Sequence, residues 1–166
     1  MKLSFLAIAL VLVLATLDAQ AQPTPAMVAA ARAAATPDLP APLLLGLADI
    51  ESNFDSTATS RLVGGKRQTG PWRRTTPPPG ATGNYFCGVT QAIAPTWKRC
   101  LELRDPRVAF AVGAAELTTW LRRGGTVQRA LQGHGCGNAG MKGACRGYAA
   151  RVLRRARYFA GSKPTS

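Results

Sequence analysis

Histidine is nearly absent from this 166-residue chain, His134 being the only one. Its four cysteines, Cys87, Cys100, Cys136 and Cys145, contain no C-x-x-C spacing. A structural zinc site takes its ligands from clustered Cys and His, so these two absences exclude one, and no metal or cofactor is expected. Acids are scarce as well: eight Asp and Glu stand against 21 Lys and Arg, for a formal net charge of +13. After the first residues no apolar run approaches the roughly 20 residues that a spanning helix needs. There is no internal repeat, and little of the alternating pattern that marks strands. What remains is an α-rich expectation for a basic, non-repetitive chain.

Residues 1–21 form a recognisable block. Met1-Lys2 precedes an apolar run over 3–17, and Ala19-Gln20-Ala21 supplies small residues at a cleavage point. Charge, short apolar core and small-x-small site are the parts of a secretory signal peptide. No lipid-anchor cysteine follows, so a secreted or periplasmic protein without a membrane span is expected. About 145 residues then remain, the size of one domain. In an oxidising compartment four cysteines read as two disulfides with three possible connectivities. Sequence-local pairing, Cys87–Cys100 and Cys136–Cys145, is preferred, because each pair would clamp a loop to a nearby helix. The positive charge suits polyanions such as nucleic acid, anionic lipid or cell-wall polymers. The arginines are scattered rather than gathered into one basic block with aromatics, so nucleic acid is not the expected partner.

Residues 22–41 are rich in Pro and Ala, with one helix over 26–35. Pro42 fits the first turn of the next helix, about 42–53, where a missing N–H costs nothing. Leu43, Leu47, Ile50 and Phe54 recur there at helical spacing and mark one core-facing stripe. Glu51 lies one residue past that stripe, between core and solvent. A carboxylate pressed against apolar side chains loses hydration, which disfavours its charged form and can keep it protonated near neutral pH. Residues 56–85 read as a long irregular segment with aromatic handles at Trp72, Tyr85 and Phe86. Pro95 opens a short helix, and Asp105-Pro106 start a longer one to about Arg123 that holds Val108, Ala111, Val112, Ala115 and Trp120. Gly124-Gly125 end it, and Thr126 caps a helix to Gln132. Residues 133–147 read as a Gly-rich loop, 148–159 as a final helix, and 161–166 as a polar tail.

Four features stand in order: Glu51-Ser52 closing an apolar helix, Gly88-Val89-Thr90-Gln91 before another helix, Ala130-Leu131 followed by a Gly/His/Asn segment, and Tyr148 with Val152-Leu153. This order resembles the lytic transglycosylase domain of the soluble-lytic-transglycosylase and goose-type lysozyme family. There a helix ends in Glu-Ser, a Gly-Leu-Met-Gln turn follows, an Ala-Tyr-Asn segment comes later, and a Tyr-x-x-x-Val-Leu-like helix closes the fold. The resemblance covers roughly 42–160. It implies a mainly α, lysozyme-like single domain of about six helices, with a long irregular loop after the catalytic helix. Glu51 matches the catalytic acid, and Ser52, Gln91, His134, Asn138 and Tyr148 fall at substrate-binding positions. Thr90 replaces the Met of the turn, and His134 stands where Tyr is usual. The Asn has either become Gly135 or shifted to Asn138.

The implied partner is the glycan strand of peptidoglycan, and the implied reaction cleaves the β-1,4 bond between N-acetylmuramic acid and N-acetylglucosamine, by a monomer. A leaving sugar oxygen needs a proton, and most glycosidases add a second carboxylate. Beyond residue 21 the acids are Asp38, Asp49, Glu51, Asp55, Glu102, Asp105 and Glu116. Asp49 points away around the helix, Asp105 reads as a cap, and Asp55 suits a structural role. No obvious second carboxylate remains, which favours one residue acting first as acid and then as base, with the muramic acid C6 hydroxyl closing to a 1,6-anhydro sugar. A lysozyme-type hydrolase and a non-catalytic cationic wall-binding protein are the alternatives.

Overall fold

A computed structural model describes residues 21–63, 66–70 and 85–161. Residues 1–20 of the expected leader, Trp72 of the expected irregular segment, and residues 162–166 of the expected tail lie outside them. Among the described residues the architecture is mainly helical with a small antiparallel sheet. Helix α1 is Pro25–Ala34 and α2 is Ala41–Ser52; strands β1 Thr59–Val63, β2 Lys66–Gly70, β3 Tyr85–Cys87 and β4 Ala92–Ala94 follow; then come α3 Trp97–Glu102, α4 Pro106–Gly124, α5 Val127–Met141 and α6 Arg146–Gly161. No described helix is long and apolar enough to cross a membrane.

The helix boundaries follow from local chemistry. Thr96 and Thr126 each accept a hydrogen bond from a backbone N–H in the first turn of α3 and α5, and the Asp105 carboxylate accepts from Arg107 N–H at α4. These caps satisfy donors that a helix start leaves unbonded. Gly125, at φ 72°, and Asn53, at φ 52°, close α4 and α2 in the left-handed conformation.

Helix α2 is the axis of the core, not a helix with one apolar stripe. All of Leu43, Leu44, Leu45, Gly46, Leu47, Ala48 and Asp49 are buried, whereas Ile50, expected on the stripe, is only half-buried. α6 packs along α2 and α4 along α5. The largest fully buried side chains, Leu44, Leu47, Phe110, Leu117, Leu131 and Val152, come from all of these helices. Each fully buried Leu contributes roughly 1.5–3 kcal/mol of transfer free energy. At Gly46 a Cβ would lie 2.7 Å from Ala156 N and 2.8 Å from Val152 O, so glycine is what lets α2 and α6 approach this closely. A buried ion pair between Asp49 and Arg155 joins the same two helices.

Two expectations are corrected. The segment over 56–85 is not wholly irregular: β1 and β2 lie in it and β3 begins at its last residue, in a four-stranded sheet of order β2-β1-β3-β4. The strands run antiparallel, with Thr59 opposite Cys87 and Tyr85 opposite Ala94. Strands of three to five residues are too short to display an alternation in sequence. Second, the Gly-rich stretch after Gln132 is not all loop: α5 continues helically to a sharp kink at Gly137, beyond which a short helical piece to Met141 folds back against Gln132. Glycine weakens a helix by about 1 kcal/mol per residue, but packing overrides that here. Trp120 covers Gly133, and Tyr148 covers Gly135, where a Cβ would lie 2.8 Å from the ring. The buried face of α4 is Ala109, Phe110, Gly113, Ala114 and Leu117, while Ala111 and Ala115 are exposed.

Both disulfides form with the sequence-local pairing, Cys87–Cys100 at a Cα separation of 5.4 Å and Cys136–Cys145 at 6.1 Å. The first sits in a second apolar cluster with Tyr85, Ala92, Ala94 and Leu103, tying β3 to α3. The second ties α5 to the entry of α6.

Candidate active site

Glu51 leaves α2 in its last turn, and its side chain is 3% exposed. It is therefore buried, deeper than the rim position that its place beside the apolar stripe suggests. Tyr148, in the first turn of α6, donates its O–H to Glu51 Oε1 at 2.5 Å. His134, on α5, places Nε2 3.6 Å from the same oxygen, and its side chain is 5% exposed. So His134 is neither in a loop nor at the surface. The antiparallel packing of α6 on α2 brings Tyr148 to Glu51, and the packing of α5 on α6 brings His134.

On the other side of the ring, His134 Nδ1 lies 3.7 Å from Glu116 Oε2. Glu116 comes from α4, and its Oε1 accepts the Ile93 N–H of β4 at 2.8 Å. Burial holds the Glu116 carboxyl above the usual carboxylate range. The Ile93 N–H and His134 oppose that shift, and the negative charge of Glu51 adds to it. Glu116 is thus the second acid that sequence reasoning left without a role. Its signal was present: it lies three residues after Gly113 and one before Leu117, at the edge of the true buried face of α4.

The other expected contacts serve the fold. Ser52 Oγ donates to Ala48 O at 3.0 Å and to Val89 O at 2.9 Å, pinning the end of α2 to the β3–β4 turn. Gln91 is buried; its Nε2 donates to Ala58 O at 3.0 Å and Gly88 O at 3.1 Å, and its Oε1 accepts from Ser60 at 2.8 Å. Both amide hydrogens are used within the protein, so Gln91 is a structural knot rather than a donor to a sugar. Asn138 is exposed and accepts from Arg123 at 2.9 Å. Asp55 accepts from Thr57 N and Oγ1, the structural role expected of it.

A cavity of about 370 Å³ borders this region, lined by Glu51, Ser52, Asn53, Asp55, Thr59 and Gln91 among others. Asn53, Phe54 and Gln91 beside it hold positive φ of 52°, 61° and 48°. Non-glycine residues in that conformation cost of order 1–3 kcal/mol and cluster at functional sites. Among the described residues no group of His, Cys, Asp and Glu could hold a metal ion.

No protein-family model, curated protein or solved structure matches this chain. Its chemistry is therefore argued from the geometry. A buried carboxyl with a phenol on one oxygen, an imidazole beside it and a second carboxyl behind the imidazole is equipped to hold and transfer a proton.

Proposed function

We propose that this protein is a secreted or periplasmic peptidoglycan lytic transglycosylase with a lysozyme-like helical domain, and that Glu51 is its acid and base. One observation carries the reading: the buried Glu51 carboxyl at the end of an apolar helix, with the Tyr148 O–H on Oε1 at 2.5 Å. Tyr148 orients the group through this hydrogen bond, and the water-poor surroundings of its side chain suit proton transfer to a bound sugar. Glu51 gives its proton to the glycosidic oxygen as the C1–O bond of the muramic acid breaks. As carboxylate it then removes the proton of the C6 hydroxyl, whose oxygen bonds C1 and yields the 1,6-anhydro product without water. Two disulfides suit an oxidising compartment, and the net charge of +13 suits an anionic wall.

Glu116 favours a second reading, a muramidase hydrolase, since a further carboxyl could serve the activation of water. Mass analysis of muropeptides released from purified sacculi separates the two: anhydro ends mark the transglycosylase and reducing ends the hydrolase. Glu51→Gln is expected to lower release at least about a hundredfold, the usual loss for a missing general acid. No release by the wild type, or equal release by the variant, overturns the enzyme reading and leaves a wall-binding protein.

A further inference from the structure

The imidazole of the only histidine is packed between two carboxylates delivered by different helices. We propose that Glu116 is a positioning residue: fixed on one side by the Ile93 N–H, it holds the His134 ring against Glu51, and its charge governs how tightly His134 and Glu51 keep their protons. This deepens the reading of Glu51 as the acid and rests on it.

The geometry carries the proposal in three steps. First, with a carboxylate oxygen 3.6 Å from Nε2 and another 3.7 Å from Nδ1, only one orientation of the ring presents nitrogen to both. A flipped ring would turn carbon toward each. Second, Glu116 is not free to swing away, because its other oxygen accepts the N–H of β4, an edge strand of the sheet. Leaving would strip that N–H of its acceptor. Third, both separations exceed hydrogen-bond length, so the coupling across the ring is chiefly electrostatic and the charge of Glu116 is what matters. The ionisable groups gathered here are Glu51 from α2, Glu116 from α4 and His134 from α5, with Tyr148 from α6 on the same Glu51 oxygen. A carboxylate beside a histidine is a recurrent way of orienting the ring for proton transfer.

A bland role for Glu116, covering the edge of β4, predicts something different. Glu116→Gln keeps the shape and an oxygen for Ile93 N–H, and removes only the charge. Because His134 is the sole histidine, its imidazole signals in ¹H–¹³C spectra can be titrated without assignment. Loss of a neighbouring negative charge should weaken proton binding by the ring about tenfold, moving the His134 midpoint down by about one pH unit. The pH profile of muropeptide release should move to lower pH with it. An unmoved midpoint overturns the proposal; so does a moved midpoint with an unchanged profile, since the pair would then not act on Glu51. Glu116→Met, similar in volume and uncharged, carries the same expectation should the Gln variant not fold. Wild-type protein that releases nothing overturns the transglycosylase reading separately, and the titration still decides whether Glu116 holds the ring.

Discussion

At the scale of the residue, the unusual feature is a carboxyl whose hold on its proton is strengthened by its surroundings. The folded state raises the affinity of Glu116 for its proton, chiefly through burial. The sign of the consequence follows from linkage. A carboxyl whose folded value lies above its unfolded value of about 4.3 is no handicap in acid, and it lowers stability as pH rises through that folded value. Glu116→Gln cannot ionise and escapes that loss. Its melting temperature should exceed that of the wild type by a few degrees at pH 7.5 and match it near pH 4. Thermal unfolding at the two pH values checks this, and a gap that does not depend on pH contradicts it. A gain in stability paired with a loss of function would mark Glu116 as a residue kept for chemistry. Of the residues at the site, Glu51 and Tyr148 were legible in the sequence because short motifs place them at helix ends. His134 was legible only as an oddity, since nothing in a Gly-rich stretch says that it is buried. Glu116 was not legible, because its place is set by the packing of α4 against β4 and α5, which nothing near it in sequence announces.

At the scale of the element, the site depends on how α2 and α6 lie together. Gly46 allows their backbones to touch, and Glu51 and Tyr148 meet about one turn further along the same seam. Gly46→Ala would push a methyl into the backbone of α6 and should destabilise by about 1–3 kcal/mol, as overpacking does. Urea unfolding checks the loss. Muropeptide release should fall with it, because the Tyr148–Glu51 contact opens. An alanine variant as stable as the wild type would show that the helices do not need the close approach. Most helix starts and stops were readable, since Pro42, Asp105-Pro106, Gly124-Gly125 and Thr126 act through bonds within a few residues of themselves. The sheet and the length of α5 were not. β3 and β4 have three residues each, and α5 stays helical through Gly133 and Gly135, up to its kink at Gly137, because Trp120 and Tyr148, outside that segment, cover those two glycines.

At the scale of the molecule, charge is unevenly spread. No Asp or Glu occurs after Glu116, whereas Arg122, Arg123, Arg129, Arg151, Arg154 and Arg157 are all exposed. The outer faces of α4 to α6 are accordingly basic. If they serve attraction to the anionic wall, cosedimentation of the Glu51→Gln protein with sacculi should weaken about tenfold between roughly 0.05 M and 0.5 M salt, as the Debye length shortens. Retention that ignores salt would assign the charge no role in wall binding.

The sequence by itself determined the helices with local caps, the apolar character of α2, the preference for disulfides between near neighbours, the basic charge and the choice of Glu51 as the acid to test. Each of these depends on residues close together along the chain, or on composition alone. Only the tertiary structure decided which face of α4 turns inward, that the sole histidine is buried, and that Glu51, His134 and Glu116 form one group. Those three residues are separated by long stretches of chain, and nothing local brings them together. They meet because α2, α4 and α5 pack around a shared apolar core, and burial of that core outweighs the cost of enclosing two carboxyls and an imidazole within it.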